Sequence, residues 1–220
     1  MYIKRNIEEA IIQTSKEYPV VMVCGQRQVG KSTMLNHIKE NNRRYVSFDD
    51  RQAKRLAETD PTLFFETYGY PILIDEFQKV PTILETIKDI SDKLGYEGKD
   101  NNGLFWLTGS QKFEMMKGVS ESLAGRVAVF EMSSLSKNEL IGKDYGVFNP
   151  EISALKKREN IKSSVNDIYG LIFKGGMPKI NASSINRDKY YSNYINTYLE
   201  RDIKELSQVG KLDEFYVFLV

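Results

Sequence analysis

Eight consecutive residues, Gly25-Gln26-Arg27-Gln28-Val29-Gly30-Lys31-Ser32, constrain this chain more than any other stretch. They match the spacing G-x-x-x-x-G-K-[ST] without deviation. They also stand between an unbroken apolar run, Val20-Val21-Met22-Val23-Cys24, and a helical pattern over 31–40. Glycines at such a turn let successive backbone N–H groups converge on one point, and the helix that follows adds its positive end. A phosphate is what a turn of this kind holds. Gly25, Gln26, Arg27, Gln28, Val29 and Gly30 are therefore read as the cradle. Lys31 reaches the outer phosphates of a nucleoside triphosphate, the Ser32 hydroxyl ligates Mg2+, and Thr33 adds a contact to an inner phosphate.

Ile72-Leu73-Ile74-Asp75-Glu76 offers a partner for that loop. A carboxylate at the tip of a buried strand can hold a magnesium-bound water, the role expected of Asp75. Glu76 suits orienting or deprotonating an attacking water, which favours ATP hydrolysis over transfer to an acceptor that must be kept dry. Thr108-Gly109-Ser110-Gln111 closes another apolar run. Ser110 there either contacts the γ-phosphate and attacking water or serves only as a helix N-cap. Arg126, in Ser120-Glu121-Ser122-Leu123-Ala124-Gly125-Arg126, can stabilise charge on a transferring phosphoryl group, or can pair with Glu121 or Glu131. It can serve its own site or a neighbouring copy, and the reading leans to the neighbour. Arg27 faces solvent or a neighbouring subunit, its role open.

Five apolar runs (20–24, 44–48, 71–74, 104–108 and 127–130) alternate with helical patterns. This predicts an α/β fold: a three-layer P-loop sandwich with a five-stranded, mainly parallel sheet, followed by a small helical lid region. Ligands bind such sheets at the carboxyl ends of the strands, where each motif above lies. A leading helix is expected over 6–17, others over 51–58 and from Asp60-Pro61, and one opened by Pro81. Ser136 to Glu139 has the pattern of a capping box. Residues 1–141 are read as the core and 142–186 as connector and helical lid. Residues 187–220 are read as the start of a C-terminal helical domain. Tyr191, Tyr194, Ile195, Tyr198, Leu199, Ile203 and Leu206 form one stripe of it, a packing surface rather than a base-stacking platform. The sequence stops within the apolar Phe215-Tyr216-Val217-Phe218-Leu219-Val220, so that domain is expected to be cut short.

Composition narrows the partners. Lys+Arg 31 against Asp+Glu 30 leaves a formal charge of +1, so there is no bulk electrostatic footprint for nucleic acid or an anionic membrane. No signal-peptide pattern or membrane-length apolar window is present, and a soluble, cytoplasmic protein is expected. Cys24, the single cysteine, excludes an internal disulfide and fits a reducing compartment. The lone His37 makes no metal site. The N-K-x-D string of a base-reading GTPase and the L-S-G-G-Q string of transporter ATPases are both absent.

In combination, Gly-Gln-Arg-Gln-Val-Gly-Lys-Ser-Thr, Ser-Phe-Asp-Asp, Ile-Asp-Glu-Phe-Gln, Leu-Thr-Gly-Ser-Gln and Ser-Glu-Ser-Leu-Ala-Gly-Arg resemble a prokaryotic AAA-type ATPase family of archaea and bacteria. Gly-Gly-Met-Pro and Tyr-Leu-Glu-Arg-Asp further along resemble it too, so the likeness spans about the whole chain. Gln26 departs from the proline usual in that family. The resemblance implies an ATPase core, a short helical lid and a C-terminal domain of uncharacterised, suspected DNA-related function. The partners it implies are ATP and ADP, further copies of the chain, and a protein or DNA not identified by sequence.

Overall fold

In the computed structural model Val20–Gly25 forms β1, and every one of its residues is buried. That is the signature of a strand covered on both faces, and it explains the unbroken apolar run. The structure describes residues 2–110, 118–119, 121–143, 150–157 and 163–198. Two compact units divide the chain, one of Ile3–Asn160 and one of Met1–Tyr2 with Ile161–Val220. The division lies within the stretch 142–186 read as connector and lid.

In the first unit, α1 (Glu8–Thr14) precedes β1, and α2 (Lys31–Ile38) follows the glycine-rich turn. Then come β2 (Arg44–Ser47), α3 (Arg51–Thr59), α4 (Pro61–Tyr68), β3 (Ile72–Asp75), α5 (Ile83–Tyr96), β4 (Phe105–Ser110) and β5 (Val127–Glu131). Among the described residues two short helices, α6 (Lys137–Leu140) and α7 (Ile152–Lys156), follow. The strands form one five-stranded sheet in the order β2-β3-β4-β1-β5, and every pairing is parallel. The fold is thus α/β with the expected five strands, and helices follow it.

Local chemistry sets the boundaries. Asp50 caps α3 by accepting from the Gln52 and Ala53 amides, and Asp60 caps α4 by accepting from Leu63, with Pro61 in the first turn. Pro81 does not open α5. A 3-10 turn, Phe77–Lys79, comes first and the helix begins at Ile83. Phe48, Phe64, Phe65 and Phe105 pack ring against ring in the core, at centroid distances of 5.2–5.7 Å. Burying each such side chain contributes about 1.5–3 kcal/mol.

The capping box on α6 is formed. Ser136 accepts from the Glu139 amide, and Glu139 accepts from the Ser136 amide. Glu139 also takes hydrogen bonds from Arg5 Nε (3.0 Å) and the Asn6 amide (2.9 Å). Burial works to raise the Glu139 carboxyl, but the Ser136 and Asn6 amides and Arg5 outweigh it, so the group lies below its ordinary value. A depressed carboxyl contributes stability above its unfolded pKa of about 4.3, which is lost as pH falls through the folded value. Glu139→Gln is therefore expected to cost about 3 kcal/mol at pH 7, because it strands a buried guanidinium. The gap to wild type should close in acid. Urea unfolding at pH 7 and through the acid range measures both.

In the second unit a capping box of Ser164 and Asp167 starts α8 (Val165–Lys174), and Gly175 ends it. Pro178 opens α9 (Pro178–Ala182), and α10 (Arg187–Tyr198) follows. Tyr191, Tyr194 and Ile195 are half-buried on one face of α10, as the stripe predicts. Leu199, Ile203, Leu206 and the apolar run 215–220 lie outside the described residues, as does the side chain of Tyr198. No helix among the described residues is long and apolar enough to cross a membrane.

Candidate functional site

The parallel register gathers the motifs at one edge of the sheet. Ser47, Asp75, Thr108 and Val23 form one row across β2, β3, β4 and β1. Two residues beyond Val23, Gly25 pairs with Ser110, and the glycine-rich turn begins. Gly25 has φ 140°, and a Cβ there would sit 2.1 Å from the Met132 carbonyl oxygen, so only glycine fits. Gly30, at φ 95°, turns the chain into α2. Gln28 also takes a positive φ, of 62°. Val29 is fully buried and anchors the turn, while Gln26, Gln28 and Thr33 are exposed. The first-turn N–H groups of α2 have no acceptor within the helix.

Lys31 is 7% exposed, and its ammonium donates to the carbonyls of Gly25 (2.8 Å) and Gln26 (2.7 Å). Burial pushes the amine below its ordinary value. Glu76 and Asp75 oppose that, and Arg27 adds to it. Lys31, Arg27, Asp75 and Glu76 thus share one electrostatic neighbourhood. The Ser32 hydroxyl donates to Asp75 Oδ1 at 2.7 Å, joining the two motifs directly. The other oxygen, Oδ2, accepts from the Tyr45 hydroxyl at 2.9 Å. Burial, then the charge and hydrogen bond of Asp75, push the Tyr45 phenol up to about 12. Glu76 follows in the left-handed region, φ 56°, a conformation that costs a non-glycine residue energy and recurs at functional sites.

A hydroxyl and a carboxylate side by side are hard oxygen donors, the set that suits Mg2+ with phosphates completing its shell. Among the described residues no group of three or more His, Cys, Asp or Glu could hold a metal.

The Thr108 hydroxyl, one of the polar groups of the string that closes β4, is fully buried and has no hydrogen-bond partner. It lies in the Asp75 row, at the edge where a phosphate or water would sit. Ser110 ends β4 opposite Gly25, but its side chain, like Gln111, lies outside the described residues.

Arg126 is not brought to this edge. Its carbonyl accepts from the Val20 amide at the amino end of β1. Five residues of strand separate that end from Gly25, about 17 Å at the usual rise. The guanidinium forms a two-point pair with Asp92 on α5, Nε to Oδ1 at 2.5 Å and Nη2 to Oδ2 at 2.9 Å. A role for Arg126 in its own site does not fit this geometry. Its partner is neither Glu121 nor Glu131 but Asp92, which sequence reasoning did not consider.

A family model described as AAA domain matches residues 17–141, and a second, described as a domain of unknown function, matches residues 165–220. Uncharacterized proteins of Mycobacterium bovis and Mycobacterium tuberculosis are each 30% identical over 193 residues, 86% of this chain and 37% of theirs. The chain thus spans little more than a third of the length of these curated relatives. Among solved structures, the Walker-type ATPase of Pyrococcus abyssi aligns with a TM-score of 0.52 at 16% identity, covering 98% of this chain and 78% of that one. At that identity the likeness is one of fold.

Proposed function

The chain belongs to the AAA domain family, and from that premise we propose that it binds ATP with magnesium and hydrolyses it, driving a conformational change in an attached domain. The observation that carries this reading is the 2.7 Å bond from Ser32 to Asp75, which joins the end of the glycine-rich turn to the tip of β3. The Walker-type ATPase neighbour supports the fold that such chemistry uses.

In this reading the turn from Gly25 to Gly30 and the start of α2 take the phosphates, and the Lys31 ammonium exchanges two carbonyls for β- and γ-phosphate oxygens. Ser32 and Asp75 would hold magnesium, which when bound neutralises phosphate charge. Glu76 orients a water and accepts its proton as the water oxygen bonds to the γ-phosphorus. The bond from that phosphorus to the β–γ bridging oxygen breaks, and ADP and phosphate leave. This reading assigns the contact to the γ-phosphate or that water to Ser110, at the carboxyl end of β4, and to Thr108 in the Asp75 row. Cys24, a buried free thiol, suits a cytoplasmic location.

A second reading rests on Arg126. With that arginine held by Asp92 at the far end of the sheet, the chain alone is a nucleotide-gated switch with little turnover until a neighbouring copy supplies an arginine. Phosphate release, measured with and without Mg2+ and across protein concentration, separates the two readings. Turnover per chain should rise with concentration if copies complete each other's sites. Mixing two inactive variants, Lys31→Ala and Arg126→Ala, should then restore part of the activity, because some interfaces pair an intact loop with an intact arginine. No recovery on mixing, with flat specific activity, removes the role in trans.

A further inference from the structure

The guanidinium of Arg5 is buried, and its residue is only 5% exposed. Its nitrogens reach residues 24 to 134 positions away in sequence. Nη1 donates to the Val29 carbonyl at 2.9 Å, Nη2 to the carbonyls of Ser133 (2.6 Å) and Ser134 (3.3 Å), and Nε to Glu139 at 3.0 Å. Glu139 is itself fixed by the Asn6 and Ser136 amides. The chain therefore places a fully engaged cation directly behind the glycine-rich turn.

We propose that Arg5 is a positioning residue of the phosphate loop, an inference that rests on the reading of Gly25–Ser32 as a nucleotide cradle. A trans peptide unit is planar, with its C=O and N–H pointing in opposite directions. Holding the Val29 carbonyl on Arg5 therefore aims the Gly30 N–H away from Arg5. Gly30 is the residue whose φ of 95° turns the chain into α2, and a glycine there carries no Cβ to restrict that rotation. A donor aimed before the ligand arrives needs no reorganisation when it binds. The sequence gives no sign of this, because one arginine in a polar leading segment looks like any solvated charge.

The role requires arginine. A guanidinium can serve several acceptors in a fixed fork, whereas an ammonium is a single point that cannot span Val29, Ser133 and Glu139 together. Arg5→Lys keeps the charge opposite Glu139 and loses the grip on the loop. Its ATP affinity should fall roughly tenfold or more, the usual loss for a charge-assisted hydrogen bond. The control is Arg43→Lys, at the other end of the sheet. Arg43 is likewise buried, 3% exposed, and stacks on Trp106 at 4.0 Å. That variant should melt earlier with unchanged affinity.

The experiment measures ATP affinity by calorimetry and melting by fluorescence of Trp106, the one tryptophan, in wild type, Arg5→Lys, Arg43→Lys and Lys31→Ala. Weaker binding by folded Arg5→Lys, with Arg43→Lys normal, supports the proposal. Wild-type affinity in Arg5→Lys, with only a lowered melting temperature, overturns it. Failure of wild type to bind, or normal binding by Lys31→Ala, overturns instead the reading of the loop. If Arg5→Lys does not fold, amide exchange on wild type decides. Saturating ATP should slow exchange at Asn6 and Ser136, which are linked to the loop through Glu139 and Arg5. Unchanged exchange there counts against the proposal.

Discussion

Lys31→Ala is expected to lose nearly all of the rise in melting temperature that Mg-ATP or Mg-ADP gives the wild-type chain. A ligand at about 100 times its Kd stabilises the native state by about 2.7 kcal/mol, which for a chain of this size is roughly 5–10 °C. Lys31 is the cation that burial has already stripped of water, and its hydrogen bonds to the Gly25 and Gln26 carbonyls hold it at the turn. Phosphate oxygens repay that desolvation with full negative charge, so removing the ammonium should cost binding far more than it costs the ligand-free fold. Scanning calorimetry with and without nucleotide measures both. A shift in Lys31→Ala equal to that of wild type would place the nucleotide elsewhere and end the assignment of this loop.

The strands were legible where both faces are buried. Val20 to Cys24 and Ile72 to Ile74 read as unbroken apolar runs because no residue of β1 or β3 faces solvent. The helix start at Asp60, and the box at Ser136 and Glu139, were legible because caps are local chemistry between residues three apart. What failed was non-local. The pairing of Arg126 with Asp92 spans 34 positions, that of Arg5 with Glu139 spans 134, and the bond from Tyr45 to Asp75 spans 30. Each depends on which strand ends lie together, and no spacing rule carries that. The helix α7 was missed for another reason: none of its residues is buried, so it leaves no apolar period to find. The site's central bond is the instructive exception. Ser32 and Asp75 are 43 positions apart, yet both sit at carboxyl ends of parallel strands or just beyond, and the sheet's own geometry brings such ends together.

Glu76→Gln should bind ATP as wild type does but hydrolyse it about 10²–10⁴-fold more slowly, the range a general base or water-orienting group contributes. That corresponds to roughly 3–5 kcal/mol of barrier. The substitution is nearly isosteric. The left-handed backbone at Glu76 is unaltered, and an amide oxygen can still accept from Gln78, which now bonds Glu76 Oε2. Asp75→Asn should behave differently. Its remaining oxygen can keep the bond from Ser32, and its new amide can donate to the Tyr45 hydroxyl, so the fold should hold. What weakens is the magnesium-dependent part of nucleotide binding, since a neutral amide is a poor anchor for a hydrated divalent ion. Single-turnover hydrolysis with excess enzyme, and nucleotide titrations across Mg2+ concentration, separate the two effects. Because the neighbouring carboxylates touch the same small volume, the contrast between them is more telling than either loss alone. A Glu76→Gln chain that turns over at the wild-type rate would leave the water without its base. Where that shared rate is also negligible, the site is a nucleotide-gated switch, with Lys31, Ser32 and Asp75 reporting occupancy rather than performing chemistry.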